Sequence, residues 1–163
     1  DRSMCRQVNH GNIIELCSEL PVTADVAWDT LIDTGNWPTW GKLVTMARGT
    51  FDINTEWSIS LRPVYQGGED RVMRPMLINY QADNKILKFE QVFGGVAIVR
   101  LTHSFTVEPV DANHSVLRQR FEASGVLVWL LWSWLLHPGM MQFQELGSDL
   151  AHHLKNLPPV DPL

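Results

Sequence analysis

The sequence predicts an α+β domain in which a bent antiparallel sheet wraps around one long C-terminal helix, with two short helices after the first strand. Three observations predict it. Leu101, His103, Phe105 and Val107 share one face of a strand and Thr102, Ser104, Thr106 and Glu108 the other, and 115–123 alternates in the same way. That is the mark of a sheet covered on one side. Phe143, Leu146, Leu150, Leu154 and Leu157 recur at spacings of three and four, opposite Gln144, Glu145, Ser148, Asp149, His152 and Lys155. This period predicts an amphipathic helix over 139–157, stopped by Pro158-Pro159. Between 43 and 122, turn signals recur at Asp52-Ile53-Asn54, Gln66-Gly67-Gly68, Ala82-Asp83-Asn84, Gly94-Gly95 and Asp111-Ala112-Asn113.

Taken in order, the apolar, β-rich run 13–20 is the first strand and ends at Pro21. Thr23 reads as the N-cap of a short helix through Ala27, Trp28 and Leu31, which Asp33-Thr34-Gly35-Asn36 breaks. Trp37-Pro38-Thr39-Trp40 begins a second helical turn. Six strands follow, over 43–48, 56–64, 71–81, 85–93, 96–108 and 115–123, and then the long helix. A single domain over 12–157 is expected, with flexible tails at 1–11 and 158–163.

Composition narrows the function classes. The chain has 163 residues, 45% apolar and 19% charged, which suffices for a packed core and excludes a disordered polar segment. A net charge of −5 argues against nucleic acid as a partner, since phosphate binding needs a basic face. Two cysteines, Cys5 and Cys17, are too few for a disulfide scaffold. A bridge between them is an option, but a reducing, cytoplasmic setting is the simpler expectation. The longest apolar run, 126–136, is too short to span a bilayer. Seven tryptophans supply material for a thick core or for the wall of an apolar pocket.

The stretch IIELCSELPVTADVAWDTLIDTGNWPTWG resembles the SRPBCC (START-like, Bet v 1-like) superfamily in Val26, Trp28, Asp33, Trp37 and Trp40. HSFTVEPVDANHSVLRQRFEASGVL, down to Gly125, is similar to the paired late strands of its polyketide cyclase/dehydrase-like branch. The resemblance covers almost the whole domain and extends to the terminal helix ending near Leu154–Leu157. It implies the helix-grip fold, with a cavity between the sheet and the long helix. It implies no shared catalytic residue, because the superfamily's members range from lipid carriers to cyclases.

Within such a fold, alternation puts Leu101, His103, Phe105, Gln119 and Phe121 on the cavity face, joined by Phe89 and Gln91 and by Trp57, Ile59, Leu61 and Tyr80. Met140, Phe143 and Gly147 face them from the helix. A glycine inside a helix costs about 1 kcal/mol against alanine, so Gly147 leaves room either for a ligand or for close contact with the sheet. His103 is the sharpest polar candidate. It is either a general acid or base, or a core histidine held by Gln91, Gln119 or a backbone carbonyl. Tyr80 is a second candidate proton donor, and an exposed strand-end tyrosine is the alternative. Arg62, Arg71, Arg74 and Arg100 are candidates to hold an anionic group at the cavity mouth, whereas Arg118 and Arg120 lie on the wet face.

The run 126–136 is a buried bridge, a lid closed by Trp129, Trp132 and Trp134, or a membrane-touching segment, the last not favoured. No residue spacing calls for a metal or a cofactor, and nothing fixes an oligomeric state. The expected function is binding of a hydrophobic small molecule (polyketide, aromatic, isoprenoid or lipid-like), with cofactor-free cyclisation, dehydration or isomerisation as its catalytic form. The alternative is a non-catalytic carrier or a membrane-associated module.

Overall fold

A computed structural model describes residues 8–158 except Val96. Strands β1 (Val8–His10) and β2 (Ile13–Leu20) form the first hairpin. Val8–His10 thus pairs with the sheet, although it falls in the expected N-terminal tail; the rest of both tails, 1–7 and 159–163, lies outside the described residues. Helix α1 (Ala24–Ile32) begins as expected, with Thr23 Oγ1 accepting from the Val26 N–H at 3.4 Å. After a single 3₁₀ turn, Thr34–Asn36, comes α2 (Trp37–Trp40).

The meander then runs β3 (Val44–Arg48), β4 (Thr55–Glu56), β5 (Ser58–Leu61), β6 (Arg71–Met73), β7 (Met76–Gln81), β8 (Ile86–Phe93), β9 (Val99–Pro109) and β10 (Ser115–Ser124). These strands form a seven-stranded antiparallel sheet in the order β1-β2-β10-β9-β8-β7-β4 and a three-stranded sheet β3-β5-β6. Two expected strands are corrected. The run 56–64 breaks at Trp57 into β4 and β5, and 71–81 breaks at Arg74-Pro75 into β6 and β7. Both breaks fall at one level, since β4 pairs with β7, β5 pairs with β6, and the Trp57 N–H donates to the Pro75 carbonyl at 2.8 Å. Proline has no N–H to offer a ladder, so the pair of strands turns a corner there. That corner curls the sheet toward the helix.

The expected long helix is a chain of helical pieces: α3 (Val128–Leu131), a π-helical turn Trp132–Leu136, α4 (His137–Met141) and α5 (Phe143–Lys155). The π turn has a cause in Pro138. Its missing N–H leaves the Trp134 carbonyl without its helical donor, and the Tyr65 hydroxyl donates there instead, at 2.6 Å. The helix ends at Lys155, so Leu157 lies outside the stripe and is exposed.

Leu146, Gly147, Leu150 and Leu154 bury one face of α5 against β2. Gly147 is required by that approach: a Cβ there would lie 2.1 Å from Ser18 Oγ, so the close-contact reading holds and no ligand space opens at this glycine. The core divides into two clusters. One gathers Trp28, Leu31, Trp37, Trp57, Phe105 and Leu117 under α1 and α5, and the other gathers Ile14, Val99, Phe121, Leu136 and Met140 under the 128–141 segment. Phe143 packs against both. The outer sheet face is charged and paired, with Arg120–Glu15 at 2.7 Å and Arg118–Glu108 at 2.8 Å. Cys17 on β2 is disulfide-bonded, contrary to the free thiol of a reducing compartment; Cys5 lies outside the described residues. No helix among the described residues is long and apolar enough to cross a membrane.

Candidate functional site

Between the two core clusters lies a cavity of about 310 Å³. Leu101, His103 and Phe105 from β9, Phe121 from β10 and Phe89 and Gln91 from β8 make its floor. Ile59 and Leu61 from β5 close one side, and Met140 and Phe143 lie opposite. The alternation of these strands explains the set, since each strand sends every second side chain inward.

His103 sits in an aromatic clamp. Its ring stacks on Phe121 (centroids 3.9 Å apart, 23° between planes), touches Phe105 at 4.1 Å and meets the Phe143 ring nearly edge-on at 4.6 Å. Behind it, Gln119 Nε2 donates to the Phe143 carbonyl at 2.9 Å, and Gln119 Oε1 lies 3.0 Å from His103 Nε2. The donor and acceptor roles follow from this chain. A backbone carbonyl only accepts, so the amide nitrogen must face Phe143 and the amide oxygen must face the imidazole. An amide oxygen also only accepts, so His103 carries its proton on Nε2. Nδ1 is therefore the bare, basic nitrogen. Burial pulls the His103 pKa down to about 3, the bond to Gln119 opposing it. The imidazole is neutral at physiological pH, and an imidazolium acid is not available there.

Two further polar groups line the cavity. Gln91 reaches the Val92 carbonyl with Nε2 at 3.4 Å, while its Oε1 is buried without a partner. Arg71 hydrogen-bonds Gln142 Oε1, its Nε is buried without a partner, and desolvation lowers its pKa.

Several expected site residues sit elsewhere. Tyr80 is outside the cavity lining, stacked on Trp28 (6.1 Å) and tilted against Phe51 (4.8 Å), so the structure does not bring it together with His103. Trp57 is buried behind the wall, edge-on to Phe89 at 5.3 Å, and Gln119 acts from behind His103. Trp132 packs on the second core cluster beside His137, and Trp129 is 77% exposed on the outer surface. Leu135 and Leu136, not the tryptophans, carry segment 126–136 into the cavity wall.

Sequence reasoning also missed Trp37, which reaches the cavity from a helix that strand alternation cannot assign. It missed Met73 and Pro75, which line the cavity beside the corner, and Val72, which is 61% exposed at its rim. A proline interrupting an otherwise continuous strand was the signal available for that corner.

No protein-family model matches the sequence, and no curated protein matches it. Solved structures do. A START superfamily protein from Mycobacterium smegmatis superposes with a TM-score of 0.68 at 12% identity, covering 91% of this chain and 100% of that one. The di-domain ARO/CYC BexL from the BE-7585A biosynthetic pathway gives 0.68 at 14% identity, over 89% of this chain and 47% of that one, so the chain spans about half of its length. Truncated norcoclaurine synthase from Thalictrum flavum gives 0.66 at 13% identity, over 93% and 100%. A curved antiparallel sheet closed by a C-terminal helical arm, shared with these structures over almost the whole chain, is the helix-grip fold of START-like and Bet v 1-like proteins, and this chain has it.

Proposed function

We propose that the chain binds a hydrophobic small molecule in the cavity between sheet and helical arm. One observation carries the reading: a cavity of about 310 Å³, walled mainly by aromatic and aliphatic side chains, lies between the two core clusters, with Val72 and Phe93 exposed at its rim. Empty apolar volume of this size costs stability in a protein built only to fold. It falls in the range of small-molecule sites. Apolar burial supplies affinity, at about 25 cal/mol per Å² before ordering costs. His103 Nδ1 and Gln91 Oε1 supply orientation, each an acceptor for a ligand O–H or N–H.

A catalytic form has narrower support. Two of the similar structures are norcoclaurine synthase and a di-domain ARO/CYC by name, and an apolar pocket that holds a flexible chain in a reactive fold needs no cofactor. His103 fits the role of orienting acceptor in such a site. It does not fit that of general acid, because its pKa of about 3 leaves no proton to give at neutral pH. The disulfide at Cys17 favours an oxidising compartment over the cytoplasm.

Native mass spectrometry of the gently purified chain tests the reading. A co-purifying small molecule, lost when Leu101→Trp fills the cavity, is the expected result. Retention of the same mass by that variant, with its fold intact, would place the ligand elsewhere.

A further inference from the structure

The arginines near the cavity differ in one respect. Arg62 is paired with Glu145 at 2.5 Å and Arg100 with Glu90 at 2.8 Å. Arg71, on the same side of the fold, has no carboxylate partner among the described residues. The carboxylate beside it in sequence, Asp70, lies instead within 3.4 Å of Thr45 Oγ1. What holds Arg71 is a neutral amide. Gln142 Nε2 donates to the Pro63 carbonyl at 3.0 Å, which fixes Oε1 toward the Arg71 guanidinium. Gly139 of α4 accommodates it: a Cβ at 139 would lie 3.3 Å from the guanidinium. The side chain is thus pinned between β6 and the helical arm, at the wall of the cavity, with its Nε–H buried and unused.

A positioned, partly desolvated cation with no counter-ion is costly unless something negative completes it. The rest of the cavity's polar inventory is of the opposite kind. Gln91 Oε1 is an orphan acceptor and His103 Nδ1 a bare one. A ligand that satisfies all three carries one anionic acceptor group and one or more hydroxyl donors, separated by an apolar body.

We propose that Arg71 is an anion-docking residue and that the cavity's ligand is a hydroxylated apolar carboxylic acid, its carboxylate on the Arg71 guanidinium and its hydroxyl on His103 or Gln91. The proposal rests on the binding reading above and names the ligand class for that site. A carboxylate is favoured over a phosphate because a single guanidinium, hydrogen-bonded to a neutral amide and with no carboxylate beside it among the described residues, balances one negative charge and not two. The planar fork also matches a carboxylate in two-point contact.

The test is calorimetric titration of the full chain at pH 7 with 6-hydroxy-2-naphthoic acid and with its uncharged primary amide, on the wild type, Arg71→Gln and Arg71→Lys. The wild type is expected to bind the acid about tenfold or more tighter than the amide, as a charge-assisted contact in a dry site provides. Arg71→Gln is expected to lose that preference through the acid alone, with the amide within about twofold of wild type, and Arg71→Lys to keep part of it. Equal binding of acid and amide by the wild type, or an undiminished preference in Arg71→Gln, overturns the acid assignment and leaves the cavity reading standing. Binding of neither compound overturns both.

Discussion

At the scale of single residues, the protonation of His103, which lines the cavity, writes itself into stability. The folded chain holds its pKa at about 3, against roughly 6.5 when unfolded. Between those values the unfolded state binds the extra proton. Stability therefore rises with pH across that window, is complete above it, and is lost as pH falls from about 6.5 toward 3. Each tenfold difference in proton affinity between the two states is worth about 1.4 kcal/mol, so the effect reaches a few kcal/mol at the acid end. Melting curves should show the wild type losing stability between pH 7 and pH 4 more steeply than His103→Gln. Parallel curves for the two proteins would mean that His103 titrates normally.

His103, Phe105 and Phe121 were legible because each alternates with a polar neighbour on a strand running straight through the sheet. The tautomer was not, because it depends on Gln119 and Phe143, far away in sequence. Tyr80 was placed on the cavity face by the same alternation. Tyr80 does share the inner face, opposite the buried Leu87, but it packs against Trp28 and Phe51 and not in the cavity wall, a placement that alternation along one strand does not give.

At the scale of elements, α5 and β2 approach through Gly147. Alanine would add helix propensity of about 1 kcal/mol, but its Cβ would lie 2.1 Å from Ser18 Oγ and 3.0 Å from Ser18 Cβ. Overpacking of that kind costs about 1–3 kcal/mol, so the clash wins. Gly147→Ala is expected to lower Tm, and Gly147→Ala with Ser18→Gly to recover it, since the clashing atoms are then gone. A single variant as stable as wild type would refute the close approach.

Element types and order were readable from periodicity and turn residues, and the first strand and both short helices appear where the residues put them. The corner at Trp57 and Pro75 and the π turn ahead of Pro138 were not. Both sit at a proline, which removes one backbone donor, and both depend on a distant partner: the Trp57 N–H donates to the Pro75 carbonyl at the corner, and the Tyr65 hydroxyl donates to the Trp134 carbonyl that Pro138 leaves without its helical donor. The proline is visible in sequence and its replacement partner is not.

At the scale of the whole molecule, the helical arm separates two surfaces. Leu135 and Leu136 face the cavity, while Trp129 and Trp134, 77% and 52% exposed, face away from the core. Replacing both tryptophans with serine should leave small-molecule affinity within about twofold, because neither lines the pocket. A tenfold loss would show that this face takes part in closing the site.

The proposed ligand binding rests on the space beneath that arm, and titration with the neutral fluorophore N-phenyl-1-naphthylamine probes it most directly. The wild type is expected to bind one equivalent saturably, with Leu101→Trp, folded by circular dichroism, losing at least about tenfold in affinity as its indole fills the volume. No saturable binding by the wild type, or equal binding by the filled variant, would contradict a ligand cavity in this fold.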